Sequence, residues 1–185
     1  QQVFYNCVGL TSVPEDLFRY NTNVITLGSV FQRCSSITSI TANLFRYNTI
    51  VIDFYSTFQS CTLLASLPTD LFRYNTLVTT FAQCFLSCSS LTSIPSDLFQ
   101  YNVLVNTFIS TFSTSGLTSI PANLFQYNIN VTSFQSTFQA CVGLTAIPAG
   151  LFASNTLVTT FHQTFYICNG LLATAIPTDL FRYNT

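Results

Sequence analysis

The sequence predicts a repeat solenoid, in which short parallel strands and short helices stack rung upon rung. Three observations predict it. The phrase Leu-Phe, followed by a short polar-aromatic tail ending in Asn, begins at Leu17, Leu44, Leu71, Leu98, Leu124, Leu151 and Leu180, in steps of 27, 27, 27, 26, 27 and 29 residues. Self-similarity at a period of this size marks a stack of small units rather than one compact globule. A proline recurs inside nearly every unit, as at Pro14, Pro68, Pro95, Pro121, Pro148 and Pro177, and excludes one continuous helix. Apolar positions fall three or four residues apart throughout each unit, a spacing that fits a helix and equally a coil that turns a corner every few residues.

Set in register, one unit reads roughly F-x-x-T-F-x-x-C-x-x-L-T-S-I-P-x-D-L-F-x-Y-N-T-x-V-T-x. Leu91 to Ile94 predicts a short strand with β-branched character. Pro95 to Tyr101 predicts one or two helical turns. Pro stands near their start, where a missing N–H costs nothing, and Asp97 complements the helix dipole. Asp16, Asp70 and Asp179 each precede an arginine by three residues (Arg19, Arg73 and Arg182), and each exposed pair adds about 0.2–0.5 kcal/mol. Asn102 suits the exit, because Asn tolerates left-handed backbone. Val105 to Phe108 predicts a second extended piece. The whole of 1–185 reads as a single solenoid of about 6.5 repeats.

Stacking turns each recurring residue into a column. Leu, Ile, Phe and Val columns form the core. An Asn column (Asn21, Asn48, Asn75, Asn102, Asn128, Asn155 and Asn184) ties down turn backbone through its amides. A Tyr column (Tyr20, Tyr47, Tyr74, Tyr101, Tyr127 and Tyr183) keeps its hydroxyls in water and offers a partner face. Ser115 in place of the column Cys, Thr41 in place of the column Pro, and an insertion at Ala173-Thr174-Ala175 predict loop variation on one edge.

Only 6% of the residues are charged, the formal net charge is −1, and Lys, Met and Trp are absent. No basic stripe exists for nucleic acid, and no apolar run is long enough for a membrane span. Six of the seven cysteines (Cys7, Cys34, Cys61, Cys88, Cys141 and Cys168) share one column. Bridges between adjacent rungs are the sharper reading. A ladder of buried thiols is the better one, since free Cys packs as a small hydrophobe and the odd count opposes a regular framework. Cys84 stands off this column and is expected to be the exposed thiol. One Cys per rung and a single histidine, His162, give no metal-ligand cluster. No motif supplies His162 with a nucleophile, so no catalytic residue and no cofactor is expected. The arginines at Arg19, Arg46, Arg73 and Arg182 give way to Gln100 and Gln126, which favours a solvated face over an anion site. The Thr columns are ordinary strand residues before they are an ice-ordering array, and Asn130-Val131-Thr132 is the one N-glycosylation sequon.

The stretches Phe31 to Ile40 and Phe85 to Ile94 (F-x-x-C-x-x-L-T-S-I) resemble the BspA-type leucine-rich repeat. The stretch Val131 to Cys141 is similar to the lipoprotein-type surface repeats of bacteria. The resemblance covers the whole chain. It implies a leucine-rich-repeat superhelix on a cell surface or in a secreted adhesin, with no shared catalytic residues. The 27-residue period and the LFRYN corner depart from the usual unit. The expected function is therefore non-enzymatic: an extracellular array presenting a Thr, Asn and Tyr face to a protein or glycan. The chain opens and closes inside a repeat, without polar caps. We expect a window of a longer array, with any catalytic domain outside it, or a subunit of a filament or viral fibre stacking head to tail.

Overall fold

The computed structural model describes residues 2–184. Gln1 and Thr185, on which the head-to-tail expectation partly falls, lie outside the described residues. The chain forms a solenoid whose rungs follow the 27-residue register. Three columns of phenylalanine run through its core and together use all nineteen in the chain, with Phe181 exposed at the end of its column. One column runs Phe4, Phe31, Phe58, Phe85, Phe112, Phe138 and Phe165, with stacked rings 5.5–5.8 Å apart. A second runs Phe18, Phe45, Phe72, Phe99, Phe125, Phe152 and Phe181, at 6.0–6.3 Å. The third, Phe54, Phe81, Phe108, Phe134 and Phe161, spaces its rings at 5.8–6.1 Å. The second column meets the third in tilted contacts of 4.6–4.9 Å. Offset and tilted pairs satisfy the ring quadrupoles while burying large apolar area. The wider spacing of the second column splays the rungs at the Leu-Phe corner.

The backbone departs from the expected strands and helices. Pro95 to Tyr101 is a chain of tight turns, with Leu98 N–H donating to Pro95 O, Gln100 to Asp97 and Asn102 to Phe99 at 3.1–3.4 Å. These are three-residue steps, not the four-residue steps of an α-helix. Seven residues are too few to nucleate one, and Leu98 and Phe99, adjacent in sequence, must both face the core. The one helical turn among the described residues is the 3₁₀ turn Ala173–Ala175, made by the insertion expected to be a loop. Leu91 to Ile94 is extended but tied to its neighbours only by single bonds, such as Thr118 N–H to Thr92 O at 3.1 Å. Sheet-like pairing is confined to the second extended piece. There Thr26, Asp53, Thr80, Thr107, Ser133 and Thr160 pair in parallel, one residue per rung.

From that residue to the cysteine column, the wall repeats a simple scheme. Alternate N–H groups donate to the next rung: Leu27 to Asp53, Ser29 to Tyr55, Phe31 to Thr57 and Arg33 to Gln59. The intervening N–H groups of Val30, Gln32 and Cys34 close turns within the rung. Two of these turns carry a left-handed third residue, as a type II turn requires. Ser29, Ser56, Gln83, Ser110, Ser136 and Gln163 make one such column, with φ of 53–58°. Arg33, Ser60, Ser87, Thr114, Ala140 and Ile167 make the other, at 56–63°. These left-handed corners are why the wall is not a pleated sheet. Where the segment after Ser115 is one residue short, Gly116 N–H donates to Cys88 O of the preceding rung at 3.3 Å. A Cβ there would lie 2.2 Å from Ser89 O, so only glycine fits this close approach.

Three side-chain ladders lock the register. Each Asn amide from Asn48 to Asn184 donates twice into the rung before it, to a Phe carbonyl and to the preceding column Asn carbonyl, at 2.7–3.3 Å. Thr57, Thr111, Thr137 and Thr164 each join a carbonyl of their own rung to one of the preceding rung at 2.7–3.1 Å. The third ladder is the cysteine column.

Two outcomes follow from this backbone. Asn102→Ala removes two buried bonds, while Phe72 O and Asn75 O each keep a turn N–H, so urea denaturation is expected to show a loss of about 1–3 kcal/mol. Ile167 is a β-branched residue at φ 61° with its side chain in solvent. Ile167→Asn relieves the left-handed clash and is expected to raise stability by about 1 kcal/mol in the same measurement.

Candidate functional site

Six of the seven cysteines lie inside the stack. All seven carry free thiols. Cys34, Cys61, Cys88, Cys141 and Cys168 donate to the carbonyls of Phe4, Phe31, Phe58, Phe112 and Phe138, one rung back, at 2.8–3.3 Å. Ser115 keeps a polar hydrogen at the vacated place and contacts Cys141 Sγ at 3.3 Å. The expected exposure of Cys84 is corrected: it is fully buried, and Cys7 is the exposed thiol. Cys84 lies one period after Thr57 and one before Thr111. It fills the threonine ladder, a register that no local spacing around Cys88 discloses. Burial pushes the Cys168 thiol up to about 11, and pushes Cys61, Cys84 and Cys88 further, with neighbouring thiols adding to the effect. Thiols this hard to ionise are poor nucleophiles and poor metal ligands. Among the described residues no group of three or more His, Cys, Asp or Glu converges. His162 is exposed, and its backbone N–H is held by Thr160 Oγ1 at 3.1 Å.

The Asn ladder is likewise interior. Asn48, Asn75, Asn102, Asn128 and Asn155 have no solvent exposure, so their amides cannot serve as the partner face expected of them. The surface next to them is the tyrosine column. Tyr20, Tyr74, Tyr127 and Tyr183 are exposed, and Tyr47 and Tyr101 half-buried. The splayed Leu-Phe corner holds them one per rung, because Leu and Phe of the same phrase are anchored in the core.

Arginine threads between these rings. Arg19 lies over Tyr20 and Tyr47 at 5.7 and 5.6 Å, Arg46 over Tyr47 and Tyr74 at 5.5 and 5.8 Å, and Arg73 over Tyr74 and Tyr101 at 5.9 and 5.2 Å. Each guanidinium thus bridges two rungs. The sequence shows an Arg and a Tyr in each phrase, but not that an arginine reaches the tyrosine of the next. Asp16 pairs with Arg19 at 3.6 Å and Asp70 with Arg73 at 3.2 Å. The expected Asp179–Arg182 pair does not form. Arg182 lies instead over Tyr183, at 5.7 Å. Where these rungs have Asp, the rung of Arg46 has Asn43, which donates to Glu15. Among the described residues Arg46 has no carboxylate partner. The stripe ends where Gln100 and Gln126 replace arginine.

Comparison with solved structures places the fold. The chain is similar to the structure of the Toll–Spätzle complex from Drosophila in its glycosylated form, with a TM-score of 0.58 and 23% identity over 82% of this chain and 18% of that one. It is also similar to a leucine-rich repeat protein from Bacteroides ovatus, with a TM-score of 0.50 and 20% identity over 80% of this chain and 34% of that one. The fold is a leucine-rich-repeat solenoid. A leucine-rich cell surface protein from Faecalibacterium prausnitzii matches more distantly, at a TM-score of 0.35 and 20% identity, over 65% of this chain and 35% of that one. The chain spans only about a fifth to a third of the length of these proteins. No protein-family model matches it, and neither does any curated protein. Among the described residues no helix is long and apolar enough to cross a membrane.

The thiols yield a test. In the native protein Cys7 is expected to alkylate with iodoacetamide at once, and the six others only on unfolding. Their raised values favour the folded state below the unfolded thiol value of about 8.5. As pH rises beyond it, the unfolded chain releases protons that the fold retains, so stability falls. The melting temperature is expected to drop between pH 8 and 9.5, and to drop less in Cys88→Ala.

Proposed function

We propose that this chain is a non-enzymatic binding array, working outside the cell or on its surface, that engages a protein or glycan along its tyrosine edge. One observation carries the reading: aromatic side chains recur at rung spacing, exposed on a corner whose backbone is fixed from inside by the Phe and Asn ladders. Tyrosine gives large contact area with little rotamer entropy to lose, and its hydroxyl adapts to polar partners. A rigid row of such groups recognises an extended ligand rather than a small one. The extended segments of the rungs carry exposed, uncharged Thr38, Ser39, Thr92, Ser93, Thr118 and Ser119. Kinship with BspA-type bacterial surface repeats, and a place within a longer array, belong to the same reading.

End-to-end association is a second reading. A cavity of about 270 Å³ at the N-terminal rung is lined by Phe4, Phe18, Leu27 and Val30 among others. These residues lie on core columns, so the cavity fits a further rung, supplied by the same polypeptide or by a second copy.

The test is an array of glycans and extracellular proteins probed with the chain and with a Tyr74→Ala/Tyr127→Ala variant. Loss of the bound features in the variant, with its melting temperature unchanged, is the expected result. Undiminished binding by the variant overturns the tyrosine edge. Fibres in electron micrographs that lengthen with concentration would favour the second reading.

A further inference from the structure

We propose that Arg46, held between Tyr47 and Tyr74, is the recognition point for the carboxylate of an acidic sugar within an otherwise neutral glycan. The inference rests on the tyrosine-edge reading above and narrows it. Its first support is position. Arg46 lies 5.5 and 5.8 Å from the two ring centroids, so its guanidinium is held between the tyrosine of its own rung and that of the next. A guanidinium fixed in this way loses little entropy when its outward N–H fork meets a carboxylate in the bidentate geometry that suits it.

The second support is the contrast with its neighbours. Arg19 and Arg73 sit in the same stack, but Asp16 and Asp70 already occupy them. At the intervening rung the carboxylate is replaced by Asn43, whose amide donates to Glu15 and not toward a cation. Arg46 is therefore the one arginine of the stack left to find its anion elsewhere, and it is exposed.

The third support bears on the kind of partner. One rung to either side, Arg19 and Arg73 are already neutralised by Asp16 and Asp70, so the stack offers one unpaired cation and not a row of them. A polyanion is disfavoured, and a ligand with a single carboxylate is favoured. On both sides of that carboxylate the surface presents tyrosine at rung spacing, about 6 Å by the adjoining phenylalanine column. Sugar rings of an extended glycan succeed one another at a distance of the same order. Their C–H faces and hydroxyls suit Tyr edges and phenolic oxygens. A carboxylate on a protein loop would offer the charge without this succession of rings.

The experiment is an NMR titration of the chain with four probes: 3′-sialyllactose, lactose, polygalacturonate and the peptide acetyl-Gly-Asp-Gly-amide. The sialylated sugar is expected to bind about tenfold tighter than lactose, the worth of one charge-assisted bidentate pair. It should also exceed polygalacturonate per carboxylate, and shift Tyr47 and Tyr74 resonances. Arg46→Gln should erase the advantage over lactose, and Arg46→Lys should restore it only in part. Both variants lie on the surface, and an unchanged melting temperature verifies their fold. Equal binding of the two lactose sugars, or an advantage that survives Arg46→Gln, overturns the inference and leaves the tyrosine edge standing. An acidic peptide matching the sialylated sugar overturns the glycan assignment, and tighter polygalacturonate binding overturns the single-carboxylate argument. Binding by none of the four removes the inference, while the array experiment with the tyrosine variant still judges the broader reading.

Discussion

No rung of this solenoid can satisfy its own backbone. Tight turns use every second N–H of the wall internally, and the others point along the stack axis. They are paired only if another rung lies there in register. Buried backbone groups left without a partner are costly, so each rung depends on its neighbours and the register must hold along the whole chain. The near-constant 27-residue step follows from this requirement. The places where the step changes show how narrowly it is met. A one-residue deletion is absorbed by Gly116, where no side chain fits, and an insertion is expelled as the exposed turn Ala173–Ala175.

The side-chain ladders answer the same requirement at the corners, where backbone carbonyls would otherwise face the core. Asn, Thr and Cys are small donors that reach one rung back. The amide, with two protons, serves where two carbonyls converge, while hydroxyl and thiol, with one proton each, substitute for each other, as Cys84 does among the threonines and Ser115 among the cysteines. The apparent redox chemistry of a seven-cysteine chain dissolves into this arrangement, because thiols that donate into a dry core are held protonated. Between the ladders the phenylalanine columns exclude water, which strengthens every hydrogen bond they surround.

The face proposed for binding therefore lies on the surface, at the Leu-Phe corner. The core fixes Leu and Phe of each phrase, and so fixes the Arg and Tyr that follow. Stacking converts these short-range neighbours into a cross-rung alternation of ring and guanidinium. Its chemistry depends on which acids are present beside it, and a single Asp-to-Asn difference at position 43 separates a neutralised arginine from an available one.

The sequence by itself determined the solenoid, its period, its core columns and its want of charge. Each of these is written in the recurrence of residue types and needs no knowledge of backbone geometry. It also located the Asn, Cys and Tyr columns. It placed the thiols inside and the tyrosines outside, but it counted Asn among the partner face, because Asn is at home in either place. Only the tertiary structure decided that turns with left-handed corners replace the expected strands and helices, since the same three-to-four spacing of apolar residues suits a helix or a coil that turns at every corner. Only it placed Cys84 in the threonine ladder and left Cys7 outside. And only it brought Arg46 between two tyrosines from different rungs, because contacts 27 residues apart come from stacking, not from the local chain.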